Sequence, residues 1–327
     1  MKKRALGKTG QQVSALGLGC MGMTGRYGPF DKAEDLAVLK RALDIGIDFL
    51  DTADMYGNGE NELLVSEILS GRRDEVFLAT KFGFRYREGG GAYIDASPKY
   101  AKSAIDASLR RLKTDHVDLY YAHRVDPQVP VEETVGAMGD LVRAGKVRFV
   151  GLCEASEASI RRAHREYPLA AVQSEYSLLT REPEAGVIPA CAELGIAFVP
   201  YSPLSRGLVT GAMPAMEDLA ADDFRRTLPR FEGGHLENNR KLARAFADLA
   251  SSLGCTAAQL ALAWILHQGE TIIPIPGTKK IKYLEENAGS AELELGKADL
   301  EKIEELLKAY PSVGPRYDPG NLSLVGR

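Results

Sequence analysis

The stretch "GLGCMGMTGRYGPF", residues 17–30, decides between two architectures that both bind nucleotides. Gly17, Gly19 and Gly22 fit the G-x-G-x-x-G spacing that cradles a pyrophosphate in a doubly wound sheet. That reading requires an α-helix whose first turn contains the last glycine and meets the phosphate. Here Gly25, Gly28 and Pro29 intervene before any helical pattern, so no helix starts where the phosphate needs one. Asp51, at the end of "IDFLDTAD" (47–54), then no longer reads as a ribose-binding acid.

Outward from this stretch, short β-branched or apolar runs alternate with segments of helical periodicity. After a hairpin expected over residues 3–13, turning at "GKTG", the runs are "SALGLG", "IDFLD", "VFLATK", "VDLYYAH", "VRFVGL", "AAVQSEY", "AFVPYS" and "TIIPIPG". Several are nearly continuous in apolar residues, as befits parallel strands buried on both faces. The intervening segments carry helix signals. Ser97-Pro98 is an N-cap followed by proline at the first helical position, and Ala101, Ile105, Ser108 and Leu112 then share a face. Val131, Val135, Met138 and Val142 repeat the spacing, with Gly145 as the stop. Thr256 opens "AAQLALAWIL", apolar all round, and "KADLEKIEELLKAY" is an additional amphipathic helix. Eight strand-helix units without a linker predict an α/β fold, a (β/α)8 TIM barrel with an N-terminal β-hairpin and extra helices, as one domain over 1–327. A doubly wound sheet would need a topological switch point, which nothing marks.

The totals narrow the function. Of 327 residues 41 are basic and 45 acidic, for a net charge of −4, which provides no electrostatic footprint for nucleic acid or an anionic membrane. "MKKR" is followed by no apolar h-region, and no run approaches the ~20 apolar residues of a membrane span. Cys20, Cys153, Cys191 and Cys255 are far apart and read as reduced thiols of a cytoplasmic protein. His116 and His123 have no Cys or His partners nearby, so no metal is expected.

In a barrel, chemistry belongs at the carboxyl ends of the strands. Those ends carry Asp51, Lys81, His123, Cys153 with Glu154, Gln173 to Tyr176, Tyr201 with Ser202, and Gly277 to Lys280, while Tyr56 lies five residues past Asp51. Each has an ordinary structural explanation: a turn cap for Asp51, a strand-end lysine, a turn aromatic, a loop histidine. Convergence of all four on one mouth is better explained by proton donation. A phenol titrates near ~10 and is a weak acid at neutral pH. An adjacent ammonium lowers that value, a carboxylate keeps the ammonium charged, and a histidine orients a carbonyl. The combination suits reduction of a carbonyl group. "GTKKIK", after the last run, sets lysines at a helix start, where a phosphate monoester is well held. A solvated lysine run is the alternative.

"FLDTADMYG", "VFLATKFG", "VDLYYAHRVDP", "GKVRFVGLCEAS", "AVQSEYSLL", "YSPLSRG" and "IPIPGTKKIKYLEEN" occur in this order and resemble the successive signatures of the aldo-keto reductases, the bacterial and plant branch in particular. The resemblance extends from the first strand to about residue 295. It implies a catalytic tetrad of Asp51, Tyr56, Lys81 and His123, with Tyr56 as general acid. It also implies NADPH lying extended across the mouth. Tyr201 would stack on the nicotinamide, Gln173, Cys153 and Glu154 would hold its carboxamide, and Asp51 would count among the cofactor contacts as well as the tetrad. Ser202, Leu204 and Ser205 would line the pyrophosphate, and Gly277, Thr278, Lys279, Glu286 and Asn287 the adenosine end. The glycines of the opening stretch would let the first strand end near the nicotinamide, with Met21 at the mouth. Two positions depart from the family pattern: Cys153 stands where serine is usual, offering a weaker donor, and Tyr283 stands where an Arg or Gln contacts the adenosine in other branches. The expected partner is a small carbonyl substrate, with its pocket walled by loops near Met21, Tyr27, Met55, Phe82 and Arg124, the connection 202–236 and the C-terminal tail. Two other readings remain at this stage: a cofactor-binding regulatory protein like the family's potassium-channel β subunits, and a Schiff-base lyase using Lys81.

Overall fold

The computed structural model describes residues 1–327 apart from Glu88, Ala212 and Pro214. The chain opens with the expected hairpin, β1 (Lys3–Ala5) against β2 (Gln12–Ser14), turned through Gly7 and Gly10 at positive φ. Leu6 and Val13 are fully buried and join the apolar cluster inside the sheet, so the hairpin plugs its amino-terminal end.

Seven parallel strands follow. The first three are β3 (Leu18–Gly19), β4 (Phe49–Asp51) and β5 (Phe77–Phe82), with a second small hairpin, β6 (Phe84–Tyr86) and β7 (Ala92–Ile94), inserted after them. Then come β8 (Val117–Ala122), β9 (Val147–Cys153), β10 (Ala171–Glu175) and β11 (Ala197–Tyr201). Their order is β3-β4-β5-β8-β9-β10-β11, each parallel to its neighbour. The helices between them are α1 (Lys32–Asp44), α2 (Glu60–Leu69), α3 (Pro98–Leu112), α4 (Val131–Arg143), α5 (Glu157–Glu166) and α6 (Val187–Leu194). After β11 come α7 (Gly233–Ser252), α8 (Ala257–His267), α9 (Ile281–Gly289), α10 (Lys297–Ala309) and the short α11 (Pro319–Leu322).

The eighth expected strand is an irregular extended segment, 271–277, and its prolines explain why. Ile273 and Ile275 donate to Phe198 O and Pro200 O of β11, at 2.9 and 3.0 Å. On the other side Gly17 and Gly19 donate to Pro274 O and Pro276 O, but neither proline has an N–H to return. The segment therefore closes the barrel without a full ladder. Gly19 is needed at this seam, because a Cβ there would lie 2.8 Å from Ile275 O. After β3 the chain makes a single 3-10 turn, Met21–Thr24, that ends at Gly25 with φ +89°, and α1 begins only at Lys32.

Helix ends follow the sequence. The Ser97 hydroxyl accepts from Tyr100 N, and Thr256 and Gln259 form a reciprocal capping box. Val131, Val135 and Met138 are buried, whereas Val142 at the end of α4 is only half-buried. The connection 202–236 carries short 3-10 turns at Ser205–Thr210, Met216–Asp218, Phe224–Thr227 and Pro229–Phe231; Ala212 and Pro214 within it lie outside the described residues. No single helix among the described residues is long and apolar enough to cross a membrane.

Strand alternation separates two cores. Leu50, Leu78, Tyr120, Val150, Val172 and Phe198 face the helices, and Phe49, Phe77, Ala79, Leu119, Ala171, Val199 and Ile275 fill the interior. If Gly19 and residue 275 meet as described, Gly19→Ala lowers the unfolding free energy by about 1–3 kcal/mol in urea denaturation, the usual cost of overpacking. A midpoint equal to that of the parent would show that the two segments do not touch.

Candidate active site at the barrel mouth

The inward-facing parity that fills the interior continues for one more step and delivers the polar residues. Two positions beyond Phe49 is Asp51, beyond Ala79 is Lys81, beyond Tyr121 is His123, beyond Ala171 is Gln173 and beyond Val199 is Tyr201. The pairing register sets them side by side, with Asp51 opposite Ala79, Lys81 opposite Tyr121 and Gln173 opposite Cys153.

At the centre lies the fully buried Lys81. Its Nζ donates to Asp51 Oδ1 at 2.5 Å, to Thr52 O at 2.9 Å and to the Tyr56 hydroxyl at 3.2 Å. Burial opposes its charge most strongly, but Asp51, Tyr56 and Cys153 together outweigh it and hold the ammonium above its ordinary pKa. The second oxygen of Asp51 accepts from Gln173 Nε2 at 2.8 Å. Gln173 thus immobilises the carboxylate, a role its residue type alone does not announce.

Tyr56 begins the turn Tyr56–Gly59, with Gly57, Asn58 and Gly59 all at positive φ. This turn is anchored from below. Buried Asn61 accepts from Thr52 Oγ1 and donates to Cys20 O, and buried Glu62 accepts from Thr80 Oγ1 and Arg111 Nε, both at 2.6 Å. Burial pushes the Tyr56 phenol up to about 12, with Lys81 pulling in the other direction. The expected lowering by the ammonium is therefore present but smaller than the desolvation. The consequence is a phenol that stays protonated throughout the physiological range.

His123 meets the Tyr56 ring edge-on, with centroids 5.9 Å apart, and the Phe84 ring at 4.9 Å. Its Nδ1 is buried without a partner, and burial together with Lys81 and Arg124 holds the imidazole well below its ordinary pKa, hence neutral. Among the described residues no three His, Cys, Asp or Glu side chains are grouped to hold a metal ion.

The residues expected around a dinucleotide form the other half of the mouth. Cys153 is buried and its thiol is pushed up to about 12 by desolvation. Ser202, Ser205 and Arg206 adopt left-handed backbone before Gly207, a sparsely populated conformation that gathers at ligand-binding turns. Ser205 Oγ donates to Ser177 Oγ, Leu204 is half-buried beside it, and Met21 stands half-buried at the rim. Gly277 and Thr278 lead into α9, whose N-terminus no side chain caps. Lys279 Nζ donates to Tyr27 O and Pro29 O and so fastens the loop after β3. Asn287 is buried in α9, Glu286 half-buried and Tyr283 exposed. Left-handed turns, an uncapped helix terminus and lysines form a donor set that fits a dinucleotide with its phosphates.

Glu154 is placed differently from its expected use on a carboxamide. At φ +52°, it accepts both guanidinium nitrogens of Arg316 at 2.8 and 2.9 Å, and its carbonyl accepts from Gly326 N. It holds the tail over the mouth, where the Tyr317 and Tyr201 hydroxyls meet at 2.9 Å. Beside it, Glu175 pairs with Arg206 at 2.7 Å and Arg230 at 3.5 Å; although buried, the carboxyl is kept below its usual range by these cations and Arg316. Arg230 and Arg316 carried no local motif, and only the expectation that the 202–236 connection and the tail wall the pocket touched them, whereas Glu175 lies within "AVQSEYSLL" without an expected pairing.

Comparison with known proteins points to one family. A family model described as "Aldo/keto reductase family" matches residues 15–308. A protein named "Probable aldo-keto reductase 1" from Glycine max is 45% identical over 317 residues, covering 96% of this chain and 91% of that protein. "Aldo-keto reductase yakc [NADP(+)]" of Schizosaccharomyces pombe is 44% identical over 314 residues, covering 94% and 92%. Among solved structures, a glycerol dehydrogenase from Gluconobacter oxydans superposes with a TM-score of 0.86 at 24% identity, covering 97% of this chain and 98% of that one. A holo aldo-keto reductase from Bacillus halodurans gives 0.75 at 29%, covering 98% and 99%.

The protonated phenol is directly measurable. In a spectrophotometric titration, the parent minus Tyr56→Phe difference shows no tyrosinate absorbance below pH about 10, the ordinary tyrosine midpoint. A Tyr56 midpoint below about 9 would mean that Lys81, not burial, dominates the phenol.

Proposed function

Because the chain belongs to the aldo/keto reductase family, we propose that it reduces the carbonyl of an aldehyde or ketone to the alcohol with NADPH as reductant. The observation that carries this reading is the Asp51–Lys81–Tyr56 chain, with the hydroxyl of Tyr56 3.2 Å from a buried ammonium. The nicotinamide, when bound, supplies a hydride to the carbonyl carbon. Tyr56 donates its proton to the carbonyl oxygen as negative charge builds there. Lys81 stabilises the phenolate left behind, so its field acts chiefly on the transition state. Asp51, itself steadied by Gln173, keeps that ammonium charged and in place. Neutral His123 shares the mouth with Tyr56 and orients the carbonyl.

Met21, Cys153, Gln173, Tyr201 and the 202–205 turn are assigned to the nicotinamide and pyrophosphate. Residues 277–279 with Glu286 and Asn287 are assigned to the adenosine and its 2′-phosphate. The charge of Lys279 and the uncapped start of α9 support NADPH over NADH. A Schiff-base lyase is disfavoured, because a nucleophilic lysine must be neutral and Asp51 keeps Lys81 charged.

The test is NADPH oxidation on a panel of aldehydes, ketones and sugar-derived carbonyls. Tyr56→Phe keeps NADPH affinity, read by quenching of protein fluorescence, and lowers kcat by about 10²–10⁴-fold; unchanged turnover would remove the assignment. Lys279→Glu raises the KM for NADPH at least about tenfold more than that for NADH, the loss of one charge-assisted contact. Release of the 27–29 loop alone would affect both coenzymes equally, and that result would remove the 2′-phosphate assignment.

A further inference from the structure

Four arginines surround the mouth, and three of them have a carboxylate. Arg316 is bidentate on Glu154, and Arg206 and Arg230 share Glu175. Arg124, immediately after His123, forms no ion pair among the described residues. Its Nη1 donates to its neighbour's carbonyl, His123 O, at 2.7 Å, and its Nε is buried with no partner at all. A buried donor left unmade is costly, and it suits a group that arrives to use it; Arg206 Nε is likewise unpartnered, but that guanidinium already meets Glu175.

The position and the free edge say what that group is. The guanidinium lies over the Phe84 ring at 5.5 Å, and the same ring meets His123 edge-on. Arg124 therefore stands at the β5–β8 edge of the mouth beside His123, within electrostatic reach of Tyr201, Tyr317, Glu154 and Cys153. With Nη1 taken by His123 O, the Nε–Nη2 edge remains, and two parallel N–H donors in one plane match a carboxylate. Glu154, the nearest acid that could have served, is committed to Arg316. We infer that the substrate is a carbonyl compound carrying a carboxylate, with Arg124 binding the carboxylate through its Nε–Nη2 edge while the carbonyl lies at Tyr56 and His123. This rests on the reductase reading above and adds the substrate class to it.

The experiment measures kcat/KM for three acids, 4-oxobutanoate, 3-formylbenzoate and 4-formylbenzoate, each against its methyl ester, with NADPH and the full-length protein. At least one acid is preferred over its ester by about 10- to 100-fold, the worth of a buried charge-assisted pair. Arg124→Met brings that ratio close to one, and Arg124→Lys restores part of it. An acid-to-ester ratio near one for all three pairs in the parent overturns the inference while leaving the reductase reading standing. A fall of equal size on acid and ester in Arg124→Met marks a merely structural role and overturns it too. So does a raised KM for NADPH with the ratio intact, which would give Arg124 to the coenzyme. Absence of NADPH oxidation with all six compounds and with the wider panel overturns the reductase reading itself.

Discussion

The contact between Lys81 and Asp51 is the constraint around which the mouth is arranged. Both side chains are removed from water at the top of an apolar barrel, where an isolated charge is heavily penalised. The penalty is met only because each remaining polar atom is matched: Thr52 O and the Tyr56 hydroxyl on the ammonium, Gln173 on the carboxylate. Removing either partner from such a pair ordinarily costs about 3–5 kcal/mol, since the other is left buried and unpaired. The pair is thus both a structural liability and the source of the field at Tyr56. A surface pair of the same residues would exert little field, because water would screen it.

Much of this was legible in one dimension because strand parity is a strict rule. Once the runs around Asp51, Lys81, His123, Gln173 and Tyr201 are read as parallel strands, the last inward position of each is fixed by counting in twos. The rejection of a pyrophosphate loop at Gly17–Gly22 likewise followed from local chemistry, since glycines and Pro29 delay α1 to Lys32. The family is the expected one. The eighth strand was the exception: "TIIPIPG" has the apolar content of a strand, but two prolines remove the donors on one side.

What could not be read was whatever depends on distant segments meeting. The hairpin of β6 and β7 presents no buried face and so no apolar run in the sequence, although Gly89, Gly90 and Gly91, all at positive φ, mark its turn. The Glu154–Arg316 pair joins residues 162 positions apart, and no spacing rule links them. The Tyr56 phenol illustrates a different limit. The sign of Lys81's effect follows from charge, but the larger effect of burial appears only when the surrounding side chains are in place.

The proline-bearing segment has one more consequence. Every other junction between neighbouring barrel strands is a mutual exchange of hydrogen bonds, whereas Gly17 and Gly19 give one each to Pro274 and Pro276 and receive none back from them. The cylinder therefore has a built-in seam, the place where it parts at least cost when the fold breathes. Met21 lies just past one lip of that seam, and Gly277, Thr278 and Lys279 form the other. Lys279 already reaches across it to Tyr27 O and Pro29 O. A molecule lying over both lips would act as a rivet, so that occupancy of the mouth and closure of the barrel become one equilibrium rather than two.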